Sequence, residues 1–240
     1  MDTYQKIWHK DVKSMTFQQL PPAMQKEEVR LWLECLQKQK FHLACKRLFD
    51  CIVSFLLLVI ASPFFVILAI AIKIDSPGPV FYRQVRVGRY GQDFKIFKFR
   101  TMVQNADKLG LSLTTGHDPR ITRMGHLIRK CRLDEFSQLL NVLKGDMSLV
   151  GPRPEVRRYV DVYQPEYLAT LLIRPGVTAP SSIRFRNEDE ILSAGDDPET
   201  TYIEKILPEK CGLNLEYLKK ITVCRDIAIM FQTVAAVTKS

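Results

Sequence analysis

Histidine is scarce and scattered: His9, His42, His117 and His126 form neither an H-x-x-H nor an H-E-x-x-H arrangement, so no histidine metal site is read. The six cysteines, Cys35, Cys45, Cys51, Cys131, Cys211 and Cys224, contain no C-x-x-C pair, which argues against a zinc site or a disulfide framework and for a reducing compartment. No G-x-x-x-x-G-K followed by Ser or Thr occurs, and no strand-linked G-x-G-x-x-G, so P-loop NTP hydrolysis and Rossmann cofactor binding are unsupported. The first 30 residues mix acids, bases and two prolines without an apolar stretch, so no cleavable signal peptide is expected. Charge itself is missing from one place: residues 51–72 are 22 residues without an acid or a base.

What is present is basic and apolar in separate parts of the chain. The 240 residues carry 35 Lys and Arg against 26 Asp and Glu, a formal charge of +9, with 46% apolar residues. That length suits one large or two small domains with a real core. The charge suits nucleic acid, an anionic membrane surface or anionic small substrates, and composition alone does not choose among them.

The uncharged run reaches roughly 33 Å as a helix, enough for a hydrocarbon core of about 30 Å. At its centre stands Ser62-Pro63, where proline removes a backbone donor and clashes with the preceding turn. The two arms, 51–61 and 64–72, then reach only roughly 13 to 17 Å each, enough to enter one leaflet and return. Lys38, Lys40, Lys46 and Arg47 precede the run and Lys73, Arg83, Arg86 and Arg89 follow it, so both flanks read as cytoplasmic. A re-entrant helix broken at Ser62 and Pro63 satisfies both. A kinked single span and a buried soluble helix are the alternatives.

Residues 1–45 read as an amphipathic helical extension, with Val29, Leu31, Trp32, Leu33, Leu36 and Phe41 among charges. Segments 80–87 and 94–100 flank Gly88-Arg89-Tyr90-Gly91 and read as a β-hairpin. Lys95 alternates with Phe94 and Ile96, whereas Lys98 and Arg100 alternate with Phe97 and Phe99, a switch of face that predicts a bulge after Ile96. Residues 101–118 read as a loop with room for a mobile lid. Leu133, Phe136, Leu140 and Leu143 recur at helical spacing, which places Asp134-Glu135 in a first helical turn. Near the C-terminus Ile227, Met230, Phe231, Val234 and Val237 form a stripe suited equally to the membrane interface or to core packing.

Two motifs carry chemistry. Asp134-Glu135 lies beside Arg129 and Arg132, and carboxylates held near arginines suggest metal-assisted work on a phosphate; acids at a helix start are also ordinary dipole partners. Gly151-Pro152-Arg153-Pro154 fixes the backbone on both sides of one guanidinium, whose planar fork suits a phosphate, although a rigid turn with a solvated arginine has the same sequence. Arg174-Pro175-Gly176 and Arg184-Phe185-Arg186 add further cations.

From Lys46 onward the chain resembles the bacterial sugar transferases, the small monotopic polyprenyl-phosphate phosphoglycosyl transferases. The resemblance rests on Lys46-Arg47-Leu48-Phe49-Asp50, Ser62-Pro63, Gln84 with Gly88, Phe97-Lys98-Phe99-Arg100-Thr101-Met102, Leu133-Asp134-Glu135, the segment 141–148, Gly151-Pro152-Arg153-Pro154 and Arg174-Pro175-Gly176-Val177-Thr178. It implies a helix-rich α/β fold with a re-entrant membrane helix (46–74), a cytosolic catalytic part (75–205) and interfacial C-terminal helices (206–240) on the cytoplasmic face of the bacterial inner membrane. It further implies Mg²⁺, a UDP-sugar donor, undecaprenyl phosphate as acceptor, UMP release and a covalent phosphosugar on Asp134. Glu135 would position Mg²⁺, and Lys98, Arg129, Arg153 and Arg186 would surround the phosphates. No nucleic-acid partner follows from it, and a homodimer is left open, as are the sugar (glucose, galactose, N-acetylated or deoxy-amino) and the polysaccharide made. The segment 179–185 departs from the usual Gly-x-Ala-Gln-Val-Asn-Gly, Asn214 stands where many members carry an acid, and residues 1–45 have no counterpart in minimal members. A catalytically silent membrane-surface adaptor, binding anionic lipid or nucleic acid through the basic hairpin, is the competing expectation.

Overall fold

Three 3₁₀ turns (Val12–Ser14, Phe17–Gln19, Pro22–Met24) lead into helices α1 (Glu27–Lys38) and α2 (Lys40–Asp75). The structure is a computed structural model that describes residues 11–106, 118–193 and 197–238. Strands β1 (Phe81–Val87) and β2 (Asp93–Phe99) follow, then α3 (Arg123–Lys130), a 3₁₀ helix Leu133–Gln138, α4 (Leu139–Lys144), β3 (Ser148–Val150) and α5 (Arg157–Val160). A second 3₁₀ helix (Pro165–Leu172), β4 (Gly176–Thr178), α6 (Pro180–Arg184), α7 (Glu188–Ser193), α8 (Pro198–Thr201), a π turn (Tyr202–Ile206), α9 (Leu207–Lys219) and α10 (Val223–Thr238) complete it. Among the described residues the fold is helix-rich with two two-stranded sheets, β1–β2 antiparallel and β3–β4 parallel.

From residue 11 onward the extension contributes to the core. Val12, Met15, Leu20 and Met24 are buried with Val29, Leu33 and Leu36 of α1, whereas Leu31 and Phe41 face outward. The buried stripe is thus i, i+4, i+7, one face of α1. Polar side chains fasten it: Gln37 Nε2 donates to Met15 O at 2.6 Å and Gln39 Nε2 to Leu218 O at 3.0 Å.

Helix α2 is the one described helix long and apolar enough to cross a membrane, and only 11% of its most apolar window is buried. It continues through Pro63, with Ser62 Oγ donating back to Val59 O at 2.7 Å. Its length is roughly 54 Å if straight. Its two ends dock on neighbouring elements. Near the start, Arg47 Nη1 donates to Val142 O of α4 at 2.8 Å and Asp50 accepts from Ser148 Oγ at 2.7 Å. Lys46 bridges Asp226 of α10 at 2.5 Å and Asp50 at 3.8 Å; removing one partner of such a buried pair costs about 3–5 kcal/mol. At the far end Leu68 and Ile72 pack on Phe99 and Ile128, and Asp75 Oδ2 accepts from Met124 N at 3.0 Å. Between these anchors Val59, Ile60, Ser62, Pro63 and Phe64 are exposed.

Two expectations need correction. The hairpin register is regular from Phe81↔Phe99 to Val87↔Asp93, so no bulge follows Ile96. The polarity switch arises because Phe99, on the face opposite Phe94 and Ile96, is covered by the end of α2. Lys98 therefore continues the core-facing row. Second, the helical stripe is rotated: Leu139 and Val142 are buried, while Phe136 is 44% exposed. Apart from these, α9 buries Leu207, Cys211, Leu215 and Leu218, whereas α10 leaves Phe231 and Val234 exposed. The suggested lid lies largely at 107–117, outside the described residues; at its edges Met102 pairs with Ile121.

Candidate active site

Asp134 and Glu135 sit in the 3₁₀ helix rather than in an α-helical first turn, entered through Arg132 in the left-handed region (φ 50°). Ser137 Oγ holds that helix to the hairpin, donating within 3.1 Å of Phe97 O and Asp134 O. Asn141, fully buried, does the same for α4: Phe97 N donates to its Oδ1 at 2.8 Å and its Nδ2 donates to Lys95 O at 3.0 Å. These bonds fix Lys98 against the dyad. Its Nζ is 3.6 Å from Asp134 Oδ2 and 3.5 Å from Glu135 Oε1.

Arg153 approaches from the other side. Its flanks are pinned: Gly151 N donates to Thr178 O at 3.0 Å, Gly176 N to Pro152 O at 2.9 Å, and Val87 N to Glu155 O at 2.8 Å. A Cβ on Gly151 would stand 2.7 Å from Arg174 O, so this crossing requires glycine. The guanidinium grips Glu135 with both terminal nitrogens, Nη1 at 3.0 Å from Oε2 and Nη2 on Oε1. Arg129 is aimed more indirectly. A Cβ on Gly125 would meet Thr101 O, so glycine lets α3 lie against Thr101, whose Oγ1 accepts from Arg129 Nε at 2.9 Å.

Electrostatics divide the two acids. Burial pushes the Asp134 carboxyl above its usual range against the pull of Lys98, with Glu135 adding to the rise. Burial also opposes ionisation of Glu135, but Arg153 and Lys98 outweigh it and hold that carboxyl well below the usual range. Asp134 keeps 17% and Glu135 20% of side-chain exposure, enough for a ligand to reach them. Carboxylate repulsion is thus a smaller cause of the Asp134 shift than burial.

Of the residues expected at the site, Asp134, Glu135, Lys98 and Arg153 come together, and Arg129 lies close enough to lower the Asp134 carboxyl. Arg186 is exposed; its Nη1 faces Ala236 O at 3.4 Å and its carbonyl accepts from Arg132 Nη2 at 3.1 Å. Among the described residues it makes no hydrogen bond or ion pair to the dyad. Arg132, assigned no role above, favours the ionised Glu135. Asn141 was also missed, although an asparagine amid apolar residues is a signal of buried amide bonding. The two departures from the usual pattern meet each other: Ser181 Oγ donates to Asn214 Oδ1 at 3.1 Å, both residues buried.

Two adjacent carboxylates are the donor number Mg²⁺ takes from a protein when phosphate oxygens and water complete its octahedron. Among the described residues no group of three metal-ligating side chains forms. The donor set fits a cation shared with substrate, not a closed protein site.

The bacterial sugar transferase sequence profile matches residues 41–240. The chain belongs to the bacterial sugar transferases. Among its relatives is the UDP-N-acetylgalactosamine-undecaprenyl-phosphate N-acetylgalactosaminephosphotransferase of Aeromonas hydrophila, 36% identical over 195 residues, covering 80% of this chain and 43% of the relative. The UDP-glucose:undecaprenyl-phosphate glucose-1-phosphate transferase of Caulobacter vibrioides is 36% identical over 192 residues, covering 79% of this chain and 68% of the relative. The undecaprenyl-phosphate galactose phosphotransferase of Salmonella typhimurium is 36% identical over 209 residues, covering 81% and 40%. This sugar transferase chain therefore spans less than half the length of two of these relatives. Residues 1–40 lie outside the family match, yet the described part from residue 11 supplies core side chains.

Proposed function

We propose that the chain transfers a sugar-1-phosphate from a UDP-sugar to undecaprenyl phosphate, releasing UMP and initiating glycan assembly. The observation that carries the reading is the juxtaposition of Asp134 and Glu135 with Lys98 and Arg153, in a family whose relatives are named for that donor and acceptor chemistry. UMP release from a panel of UDP-sugars, with undecaprenyl phosphate present, tests it. Salt-dependent lipid binding without UMP release would favour the silent adaptor instead.

The reaction is written as two displacements. An Asp134 oxygen attacks the sugar-bearing phosphorus; the bond to the bridging oxygen breaks and UMP departs with that oxygen. The acceptor phosphate then attacks the same phosphorus, and the Asp134 carboxylate leaves. Lys98 favours the ionised form of Asp134 against the burial that raises its carboxyl, and Lys98 with Arg153 offers preorganised cations to the phosphate oxygens. Asp134 and Glu135 would hold Mg²⁺, which when bound neutralises charge developing on the departing phosphate. Lys98→Gln should move the acid limb of the pH–rate profile to higher pH, since the protonated Asp134 loses its nearest competitor. An unmoved limb would detach Lys98 from Asp134 ionisation.

The membrane reading is a re-entrant α2 in the cytoplasmic leaflet of the inner membrane. Support comes from the docking of both ends on elements tied together by Asn141, from the exposed apex at Ser62 and Pro63, and from basic residues on both flanks. Exposed Phe231 and Val234 on α10 suit the same interface. Single cysteines at positions 45 and 74 should label from the same, cytoplasmic side. Labelling from opposite sides would establish a span. Pro63→Leu should shift some molecules toward that span.

A further inference from the structure

A cavity separate from the dyad lies between the start of α2, the hairpin turn and the segment entering β4, lined in part by Asp11, Lys46, Arg47, Asp50, Arg89 and Arg174. Arg47 donates to Val142 O at 2.8 Å and Leu143 O at 3.3 Å, and Arg174 Nε donates to Gly145 O at 2.9 Å. Two guanidinium groups thus meet around Gly145, where an added Cβ would stand 3.6 Å from Arg47 Nη2. Among the described residues neither arginine has a carboxylate within ion-pair distance, and the terminal nitrogens of Arg174 make no hydrogen bond. Arg89, buried in the hairpin turn, lies 3.8 Å from Asp11 Oδ1. Lys46 and Asp50 are engaged with each other and with Asp226 and Ser148. Burial, and after it the neighbouring Arg89 and Arg47, push the Arg174 guanidinium down to about 10.

Capping the C-terminal carbonyls of α4 is an ordinary task for an arginine. A six-residue helix does not call for two such caps, and capping leaves the outer nitrogens of Arg174 without a task. We infer that this cavity binds a phosphate group, with Arg47 and Arg174 as donors and Asp11 as the carboxylate competing for the same cations. None of Lys98, Asp134, Glu135 and Arg153 lines this cavity, so a phosphate held there is not held by the dyad. The uncharged run of α2 begins directly after Asp50, so on the membrane reading above the cavity lies at headgroup depth. A lipid phosphodiester and a soluble phosphate share the chemistry required.

The test is calorimetric titration of inorganic phosphate into the full chain in maltoside micelles at constant ionic strength. Wild type should bind saturably. Asp11→Asn, at a half-exposed side chain, should bind phosphate roughly fivefold more tightly, because one charge at about 4 Å is removed. Arg174→Lys should bind roughly tenfold more weakly, having lost the fork. Phosphate held at the dyad is indifferent to both substitutions, and damage to the fold cannot produce the gain in Asp11→Asn. Repeating the titration in phosphatidylglycerol nanodiscs identifies the source: a weakened phosphate affinity marks the lipid headgroup as occupant, and an unchanged one marks a soluble phosphate. Equal affinity in the three proteins, or weaker binding by Asp11→Asn, would overturn the assignment. Because these readouts need no turnover, failure of the transferase reading would leave them interpretable.

Discussion

Asp134→Asn should lose at least about a thousandfold in turnover, roughly 4 kcal/mol or more, with both UMP release and lipid product disappearing together. The amide keeps the size of the side chain but has neither the charge nor the nucleophilicity of a carboxylate. Folding should be little harmed. Burial already raises the Asp134 carboxyl, so a neutral isostere removes a charge that the folded state tolerates at some cost. Thermal melting of the variant checks that point, and a UMP-release assay checks the loss. Retained turnover would remove Asp134 from the chemistry.

Arg153→Ala should lower turnover by roughly a hundredfold or more, about 3 kcal/mol for one preorganised charged donor. The turn around it is held by the Gly151, Pro152 and Glu155 backbone bonds, which the substitution leaves in place. Glu135 keeps Lys98 at 3.5 Å, so its carboxylate is not stranded and the melting temperature should fall only slightly at neutral pH. A pH series adds a sharper reading. The folded Glu135 carboxyl lies below its unfolded value of about 4.3, so the stability it supplies is present above that pH and is lost as pH falls toward the depressed folded value. Arg153→Ala should reduce that acid-side loss. Wild-type turnover, or unfolding at neutral pH, would contradict this role for Arg153.

The dyad and Arg153 drew notice in the sequence for different physical reasons, whereas Lys98 was placed at the site only by the family resemblance. Gly151-Pro152-Arg153-Pro154 announces a fixed guanidinium locally, and its pinned flanks bear that out. Lys98 was one of three cations alternating with apolar residues in the second strand, and which sheet face it occupied depended on tertiary cover. Phe99 is buried by α2 across the hairpin, so a change of burial imitated the pattern of a bulge. The 3₁₀ geometry at Asp134 was hidden for a related reason. Helical spacing does not separate 3.0 from 3.6 residues per turn over six residues, and the left-handed Arg132 that redirects the chain is not a glycine. Arg186 illustrates the limit of proximity by motif: it lies on the right loop, but its guanidinium turns to α10. The extension could be read as amphipathic, whereas its place in the core depended on partners more than a hundred residues away, such as Leu218. The cavity beside the start of α2 draws on segments near residues 11, 47, 89 and 174, and no local pattern joins them.

The covalent step is the central claim, and peptide mapping by mass spectrometry addresses it most directly. Incubation of the full chain with a competent UDP-sugar and Mg²⁺, without lipid acceptor, should place one sugar-phosphate mass on the peptide carrying Asp134 and release one equivalent of UMP. Added undecaprenyl phosphate should then discharge it. An adduct on another residue, or UMP release only when acceptor is present and with no adduct, would contradict the two-displacement reaction.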